Sequence, residues 1–508
     1  MGNRAEKIIK NIRTGIFYRI IQIVFNFIIR AMFINYLNET YLGLNSLLTS
    51  LLQMLNVAEM GIGNAIVYSM YRPVVENNQE KLNALLNLYK KYYRIVGCIV
   101  LVVGIALMPF LNIFIKEDVP IGINVQVAYS IFLLYTVIGY FLFSYRTCIF
   151  IANQKEYIYS RMITCVYLIS YIIQIRTIAI KNYYGYLIAM LVTIVVINII
   201  LFYLSRKYYP RFYCKGKVLK DEVSEINQKI KGLLFYKIGA SIYNNADSII
   251  ISSFLGLSIL GIYSNYLTII LALNALIGTI ANSLTPSIGN ALVVENEEYS
   301  VTLFKNMNNV SQWIIGWMAV CLFNLVQPFM IFWMGESNLL SMTTVFLLSL
   351  YFFFMNNNVI IGVFKSASGI WWEDRYRQLI GGLTNLFLNL WWVNIIKLNG
   401  VILSSVVSSV VIFTPWALIA LKKKITSIDY IRIIKDMFLF SIVLVVNLLV
   451  TNKICNMLKF SNIIATLIGN SAVCLVVPNI IFGLYFWIKG ETIPCFKLAK
   501  IFCLRRKR

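Results

Sequence analysis

The sequence predicts an all-α polytopic membrane protein of about fourteen transmembrane helices, on three observations. Of 508 residues, 59% are hydrophobic and only 13% charged, with a mean hydropathy of +0.75, a composition that cannot solvate its own surface in water. The apolar residues fall into runs long enough for a helix to cross a bilayer. The basic residues behind a formal net charge of +24 sit in short connectors between those runs, almost all on one side once the runs are read as spans. A nucleic-acid binder would gather such charge on one face. Membrane orientation accounts for connectors more simply, so nucleic acid is not an expected partner.

Taken in order, the expected spans are 14–35, 43–69, 91–115, 123–146, 158–180, 182–204, 233–256, 258–287, 309–334, 341–363, 378–396, 399–420, 433–451 and 462–488. The first lacks a small-residue cleavage site and leads straight into another span, so it is expected to be retained. The second and eighth are long enough to extend beyond the hydrocarbon. With the N-terminus inside, the inner connectors hold Arg72, Lys81, Lys90, Lys91 and Arg94, then Lys155, then Arg206, Lys207, Arg211, Lys215, Lys217, Lys220, Lys229 and Lys231. Later inner segments hold Lys305, Lys365, Arg375, Arg377, Lys422, Lys423, Lys424, Arg432 and Lys435, and the tail ends in Arg505, Arg506, Lys507 and Arg508. The outer connectors offer only Lys116, Lys181, Lys397, Lys453 and Lys459. This asymmetry places both termini in the cytoplasm.

Nine cysteines form no CxxC pair, and the chain contains no histidine. A zinc or haem site built on histidine and catalysis by a histidine base are thereby excluded, and the expected metal and cofactor sets are empty. The cysteines read as small apolar residues.

An internal repeat runs without gaps at an offset of 218 residues. Phe17, Tyr18, Arg19 and Ile20 recur as Phe235, Tyr236, Lys237 and Ile238, and Leu42, Gly43, Leu44, Asn45 and Ser46 as Leu260, Gly261, Ile262, Tyr263 and Ser264. Two six-helix lobes follow, 1–216 and 231–425, with 217–230 as a cytoplasmic linker and 426–508 as two additional helices and a basic tail. An even number of helices per half makes the repeats parallel, and two such lobes enclose a central cleft suited to alternating access.

Ionisable groups inside spans are expensive unless they face a cavity or a partner, and they carry the functional expectation. Arg19 and Arg30 lie eleven residues apart on one face of the first span, Arg30 about 24 Å from the inner boundary. The seventh span carries Lys237 and Asp247, and Asp247 falls one residue from the repeat counterpart of Arg30, so that these two can form a pair. Glu59 in the second span, Arg146 at the end of the fourth, and Arg161 and Arg176 in the fifth complete the set. Arg19, Arg30, Arg146, Arg161 and Lys237 are the candidate substrate-binding cations, and Glu59 and Asp247 the candidate coupling or gate groups. Snorkelling of Arg146 and Arg161 to the interface and structural pairing of Arg30, Glu59 and Asp247 are the alternatives. A mainly positive cleft suits an anionic amphiphile whose tail remains in the bilayer. Asn45, Asn64, Asn244 and Asn245, with Tyr243 and Tyr263, supply polar lining suited to sugar hydroxyls.

The stretch from Tyr41, Leu42, Gly43, Leu44 and Asn45 to Ala58, Glu59, Met60, Gly61, Ile62 and Gly63 resembles the first hairpin of bacterial polysaccharide-repeat transporters. These are the lipid-linked oligosaccharide flippases of the multidrug/oligosaccharidyl-lipid/polysaccharide exporter superfamily. Asn245, Asp247, Ser252, Phe254, Leu255 and Gly256, then Gly261 to Tyr266, extend the resemblance. So do Phe364, Lys365, Ala367, Gly369, Asp374, Arg375, Tyr376, Arg377, Asn385, Leu386, Asn389 and Leu390, so that residues 10–425 are covered. The resemblance implies translocation of an undecaprenyl-pyrophosphate-linked oligosaccharide repeat unit to the outer leaflet for capsule, exopolysaccharide or O-antigen assembly. It also implies a cationic cavity for the pyrophosphate and sugar head, with membrane lipids, a polysaccharide polymerase and glycosyltransferases as candidate partners. The chain departs from the family pattern at Ser368, Gly369, Ile370, Trp371 and Trp372, an aromatic connection that reads as an interfacial anchor.

Three other functions fit parts of this pattern. A cation-coupled drug exporter of the same superfamily calls for an acidic cavity, against the basic set here. A peptidoglycan-precursor lipid flippase shares the fourteen-span plan. A membrane-embedded polysaccharide polymerase or sugar transferase commonly needs a sizeable extramembrane segment, and no outer connector exceeds about a dozen residues. The chain has no GxxxxGKS/T phosphate loop, which leaves a proton or sodium gradient, taken up at Glu59 or Asp247, as the candidate energy source.

Overall fold

A computed structural model describes residues 2–56, 59–116, 119–370, 374–458 and 462–491, and these are all-α. Ala58, Trp371, Trp372, Lys459 and the basic tail through Arg508 lie outside the described residues. The helices are α1 (Gly2–Tyr36), α2 (Glu39–Leu55), α3 (Glu59–Val75), α4 (Gln79–Leu107), α5 (Val125–Phe141), α6 (Thr147–Ala152), α7 (Glu156–Ala179), α8 (Tyr183–Tyr208) and α9 (Lys220–Leu255). They continue as α10 (Leu257–Val294), α11 (Glu297–Met334), α12 (Met342–Asn356), α13 (Val359–Ala367), α14 (Arg377–Ser408), α15 (Thr414–Lys422), α16 (Tyr430–Met457) and α17 (Ile463–Ile488).

Ten helices or helical runs among the described residues are long and apolar enough to cross a membrane, eleven if the bent pair at Val125–Phe141 and Ser144–Ala152 is one span. The chain is therefore a multi-pass membrane protein, and the difference from fourteen has local causes. The expected second span is two helices, α2 and α3, of 17 residues each. The expected seventh is α9, whose first half carries Lys220, Asp221, Glu222, Glu225 and Lys231. The expected eleventh and twelfth form one helical run, 377–422, broken by non-helical backbone at Ile396 and Lys397, the latter at φ 52°. Chain entry into several helices is fixed by side-chain caps: Asn38 accepts from the Thr40 amide, Asn124 from those of Gln126 and Val127, and Asn182 from that of Gly185.

The chain divides into two compact units, 1–264 and 265–508. In the first, α1 packs on α7, α7 and α5 on α8, and α2 and α3 on α9. Lipid tails are as apolar as leucine, so helices in a bilayer associate through close packing and hydrogen bonds rather than through a hydrophobic drive. Two such devices recur. Aromatic pairs zip α1 to α7, with Phe25 stacked on Tyr171 at 4.8 Å and Tyr18 beside Tyr167 at 6.1 Å. Glycines let backbones touch where α2 meets the start of α10. A Cβ on Gly43 would lie 1.9 Å from the Leu257 carbonyl oxygen, and one on Gly261 2.0 Å from that of Glu39.

Residues 209–219, between α8 and α9, are stitched onto α4. Gln79 Nε2 donates to the Arg211 carbonyl at 3.0 Å, the Tyr213 amide donates to Asn83 Oδ1 at 2.9 Å, and Asn87 Nδ2 donates to the Gly216 carbonyl at 3.0 Å. Spaced by four, these three amides occupy one face of α4. Gly216 turns the strap at φ 87°, a conformation open to glycine at little cost. Phe212 is buried and Tyr209 packs edge-on against Phe150. The stitching continues into α9 through an ion pair of Lys81 with Glu222 and a 2.7 Å bond from Tyr92 Oη to Asn227 Oδ1.

In the second unit α11 packs against α12, α16 and α17, and α12 against α14. Phe440, Phe482 and Phe486 stack between α16 and α17, with Trp313 parallel to Phe486 at 5.7 Å. Trp313 and Trp317 both donate across to α17, to Asn479 Oδ1 and to the Cys474 carbonyl.

Candidate substrate-binding and gate residues

Glu59 opens the first turn of α3, where the helix dipole favours an anion. Tyr93 Oη on α4 donates to Glu59 Oε1 and Tyr140 Oη on α5 donates to Glu59 Oε2, both at 2.6 Å, the length of a charge-assisted hydroxyl bond. Tyr140 also bonds Asn56 Oδ1 at the end of α2, and Tyr89 Oη donates to Tyr93 Oη at 3.0 Å. The three tyrosine rings pack edge to face, 4.5 and 5.3 Å apart in succession. A single carboxylate thus ties α3, α4 and α5, with the end of α2 joined through Tyr140 and Asn56, and a proton on it would replace one acceptor oxygen by a hydroxyl donor. Sequence reasoning singled out Glu59 and missed its three tyrosines. The signal available was the i, i+4 pair Tyr89 and Tyr93 on the helix that follows.

Arg30 is half-buried on α1, and its Nη1 donates to Ser264 Oγ at 2.9 Å. Ser264 in turn donates to the Gly261 carbonyl at 2.8 Å, so the arginine reaches the glycine crossing of α2 and α10. Asp247 is 7% exposed on α9. Asn245 lies two residues away and donates back to the Ser241 carbonyl at 2.9 Å, an attachment within its own helix. Asn45 accepts from Tyr183 Oη at 2.8 Å, while Asn64 and Asn244 are exposed.

The remaining cations are dispersed. Arg19 is exposed on α1 with a long 3.5 Å contact to Gln22, and Arg161 is exposed on α7 over the Tyr157 ring at 5.6 Å. Lys237 is half-buried on α9. Arg146 is enclosed, 3% exposed, with Nη1 donating to Ser205 Oγ at 2.9 Å and its guanidinium 5.0 Å from the Phe202 ring. Its place is the bend after α5, where α8 closes over the one-turn helix Ser144–Arg146.

The second unit holds two polar clusters to which sequence reasoning assigned no role. Asp374 is buried between Lys365 and Arg377, the arginine Nε lying 2.8 and 3.0 Å from its two oxygens. Asn385, Asn389, Ser404 and Ser405 form a buried network across the two limbs of the 377–408 hairpin, with Asn385 Nδ2 donating to Ser405 Oγ at 2.8 Å and Asn389 Nδ2 to Asn385 Oδ1 at 3.2 Å.

The model of a family described as polysaccharide biosynthesis protein matches residues 8–292. Among solved structures the chain is similar to the lipid II flippase MurJ in an inward closed conformation, 16% identical with a TM-score of 0.66, over 94% of this chain and 100% of that one. It is also similar to a multidrug resistance MATE family transporter of the MOP superfamily in an inward-facing conformation, 13% identical with a TM-score of 0.62, over 80% of this chain and 96% of that one. A MATE transporter from Vibrio cholerae is 12% identical with a TM-score of 0.56, over 84% and 98%. At these identities the likeness is one of fold. No curated protein matches the sequence.

Proposed function

The chain belongs to the polysaccharide biosynthesis protein family, within the MOP superfamily of membrane transporters, and from that membership we propose that it flips a polyprenyl-diphosphate-linked saccharide to the outer leaflet by alternating access. It is a transporter rather than an enzyme. The family match over more than half of the chain carries the reading, and the basic intramembrane residues support an anionic cargo. Arg30 is the cation best placed for a diphosphate: it lies deep in its span, it is half-buried, and a guanidinium offers a planar set of donors suited to phosphate oxygens. Arg19, Arg161 and Lys237 extend the same field toward the cytoplasm. Glu59, tied to α4 and α5, is the proposed gate, and a proton or sodium ion taken up there or at Asp247 the proposed source of bias.

Two cargoes share this chemistry. The likeness that spans the whole lipid II flippase favours a peptidoglycan precursor. The family description favours the oligosaccharide repeat unit of a surface polysaccharide, with a polymerase and glycosyltransferases as partners. A cation-coupled drug exporter has weaker support, because the charges inside the spans are mostly basic. The fourteen-span plan with both termini in the cytoplasm of a bacterium belongs to the same proposal. The break at Ile396 and Lys397, which divides the run 377–422 between the expected eleventh and twelfth spans, supports the span count, and the basic inner connectors support the orientation. The parallel lobes 1–216 and 231–425 are supported by the Gly43 and Gly261 crossing.

The test is reconstitution of the chain into liposomes with fluorescent forms of both lipid-linked cargoes, followed by a leaflet-accessibility assay. Protein-dependent flipping of one over the other assigns the cargo. Flipping of neither, with uptake of a cationic drug, overturns the proposal.

A further inference from the structure

The strap between α8 and α9 has an inward and an outward set of side chains. Phe212 points into the unit, while Lys207, Arg211, Lys215, Lys217 and Lys220 are exposed. Between them Tyr208, Tyr213 and Leu219 are exposed apolar groups, 45, 43 and 71% accessible. Asp221 and Glu222 follow at the start of α9, and Glu222 is engaged by Lys81. The strap begins where the apolar helix α8 stops, at Tyr208, so the layer it meets is the headgroup region. Basic residues alternating with aromatic and aliphatic ones suit that layer, where charge meets phosphate and rings lie at the boundary. A loose loop would lose conformational freedom on binding. Here the carbonyls of Arg211 and Gly216 and the amide of Tyr213 are already held by α4.

We infer that residues 207–220 form a preorganised surface for anionic phospholipid headgroups, fixed in place by the amide ladder Gln79, Asn83 and Asn87. The inference rests on the proposed membrane orientation only for which leaflet is met. It is independent of the transported cargo, since the surface lies outside the spans.

The experiment places a bimane on K217C in a cysteine-free full chain in liposomes and compares quenching by spin-labelled phosphatidylglycerol with quenching by spin-labelled phosphatidylcholine. Phosphatidylglycerol is expected to quench more, with the preference falling roughly fivefold for each cation removed in K207Q, R211Q, K215Q and K220Q, and fading with added salt. N83A/N87A keeps every charge and is expected to lose most of the preference. Equal quenching by the two lipids overturns the surface, and an unchanged preference in N83A/N87A overturns its preorganisation. Because removal of all cysteines can impair folding, native mass spectrometry of the unmodified chain provides a second reading: retention of phosphatidylglycerol over phosphatidylcholine, lost in the quadruple glutamine variant, is expected. Labelling of K217C only by reagents on the outer side would reject the orientation while leaving the lipid preference measurable.

Discussion

Tyr140 donates a 2.6 Å hydrogen bond to Glu59 from a helix 81 residues further along the chain, and Tyr93 completes the pair from α4. Y93F and Y140F are each expected to cost about 1.5–3 kcal/mol, the range for a hydrogen bond to a charged group. A double-mutant cycle with E59Q, read by thermal unfolding in detergent, should show coupling between each tyrosine and the carboxylate. Strictly additive losses would remove Glu59 as the tie between α3, α4 and α5.

Gly43 and Gly261 leave no room for a methyl group, because the atom each would strike is a backbone carbonyl. G43A and G261A are each expected to lower stability by about 2 kcal/mol or more, the scale of overpacking. The two losses should be similar, since each glycine meets the same kind of neighbour. Thermal stability by fluorescence-detected size exclusion measures both, and wild-type stability in either would show that the helices separate there freely.

R30A is expected to reduce flipping while leaving insertion intact, and R30K to retain part of the activity, since lysine restores charge but not the planar donor set. Rates are compared at matched protein levels. Recovery in R30A/D247A would make the arginine a partner of Asp247 rather than a contact for diphosphate. Wild-type flipping in R30A would reject both roles.

Asp374 compensates two cations in a buried position. D374A should therefore destabilise the second unit by about 3–5 kcal/mol, as removal of one partner from a buried ion pair does. K365M/D374L/R377M, which removes all three charges, should recover most of that loss. If the triple variant unfolds as readily as D374A, packing rather than charge explains the site.

Most helix positions were legible because apolar period is a local property of the chain. Gly43 was found in the sequence as a repeat partner of Gly261, and the structure shows the same pair as a packing contact. The tyrosine ligands of Glu59 were not legible, since tyrosine is common here and the choice of Tyr93 and Tyr140 depends on how α3, α4 and α5 meet. Arg146 was read as a cleft cation from its charge alone. Its neighbours Phe202 and Ser205 lie more than fifty residues later, and nothing local marks them. The strap was legible as a basic connector but not as a fixed one, because the ladder that holds it lies on α4, well over a hundred residues earlier.

The glycine crossing is reciprocal. Gly43 meets residue 257 and Gly261 meets residue 39, so each contacted residue lies four positions, about one helical turn, before the opposite glycine. A side chain added at either position would push on the backbone turn that leads into the other. The two sites are therefore a single steric requirement met from both sides, and a clash at one cannot be relieved by any change of side chain at the other.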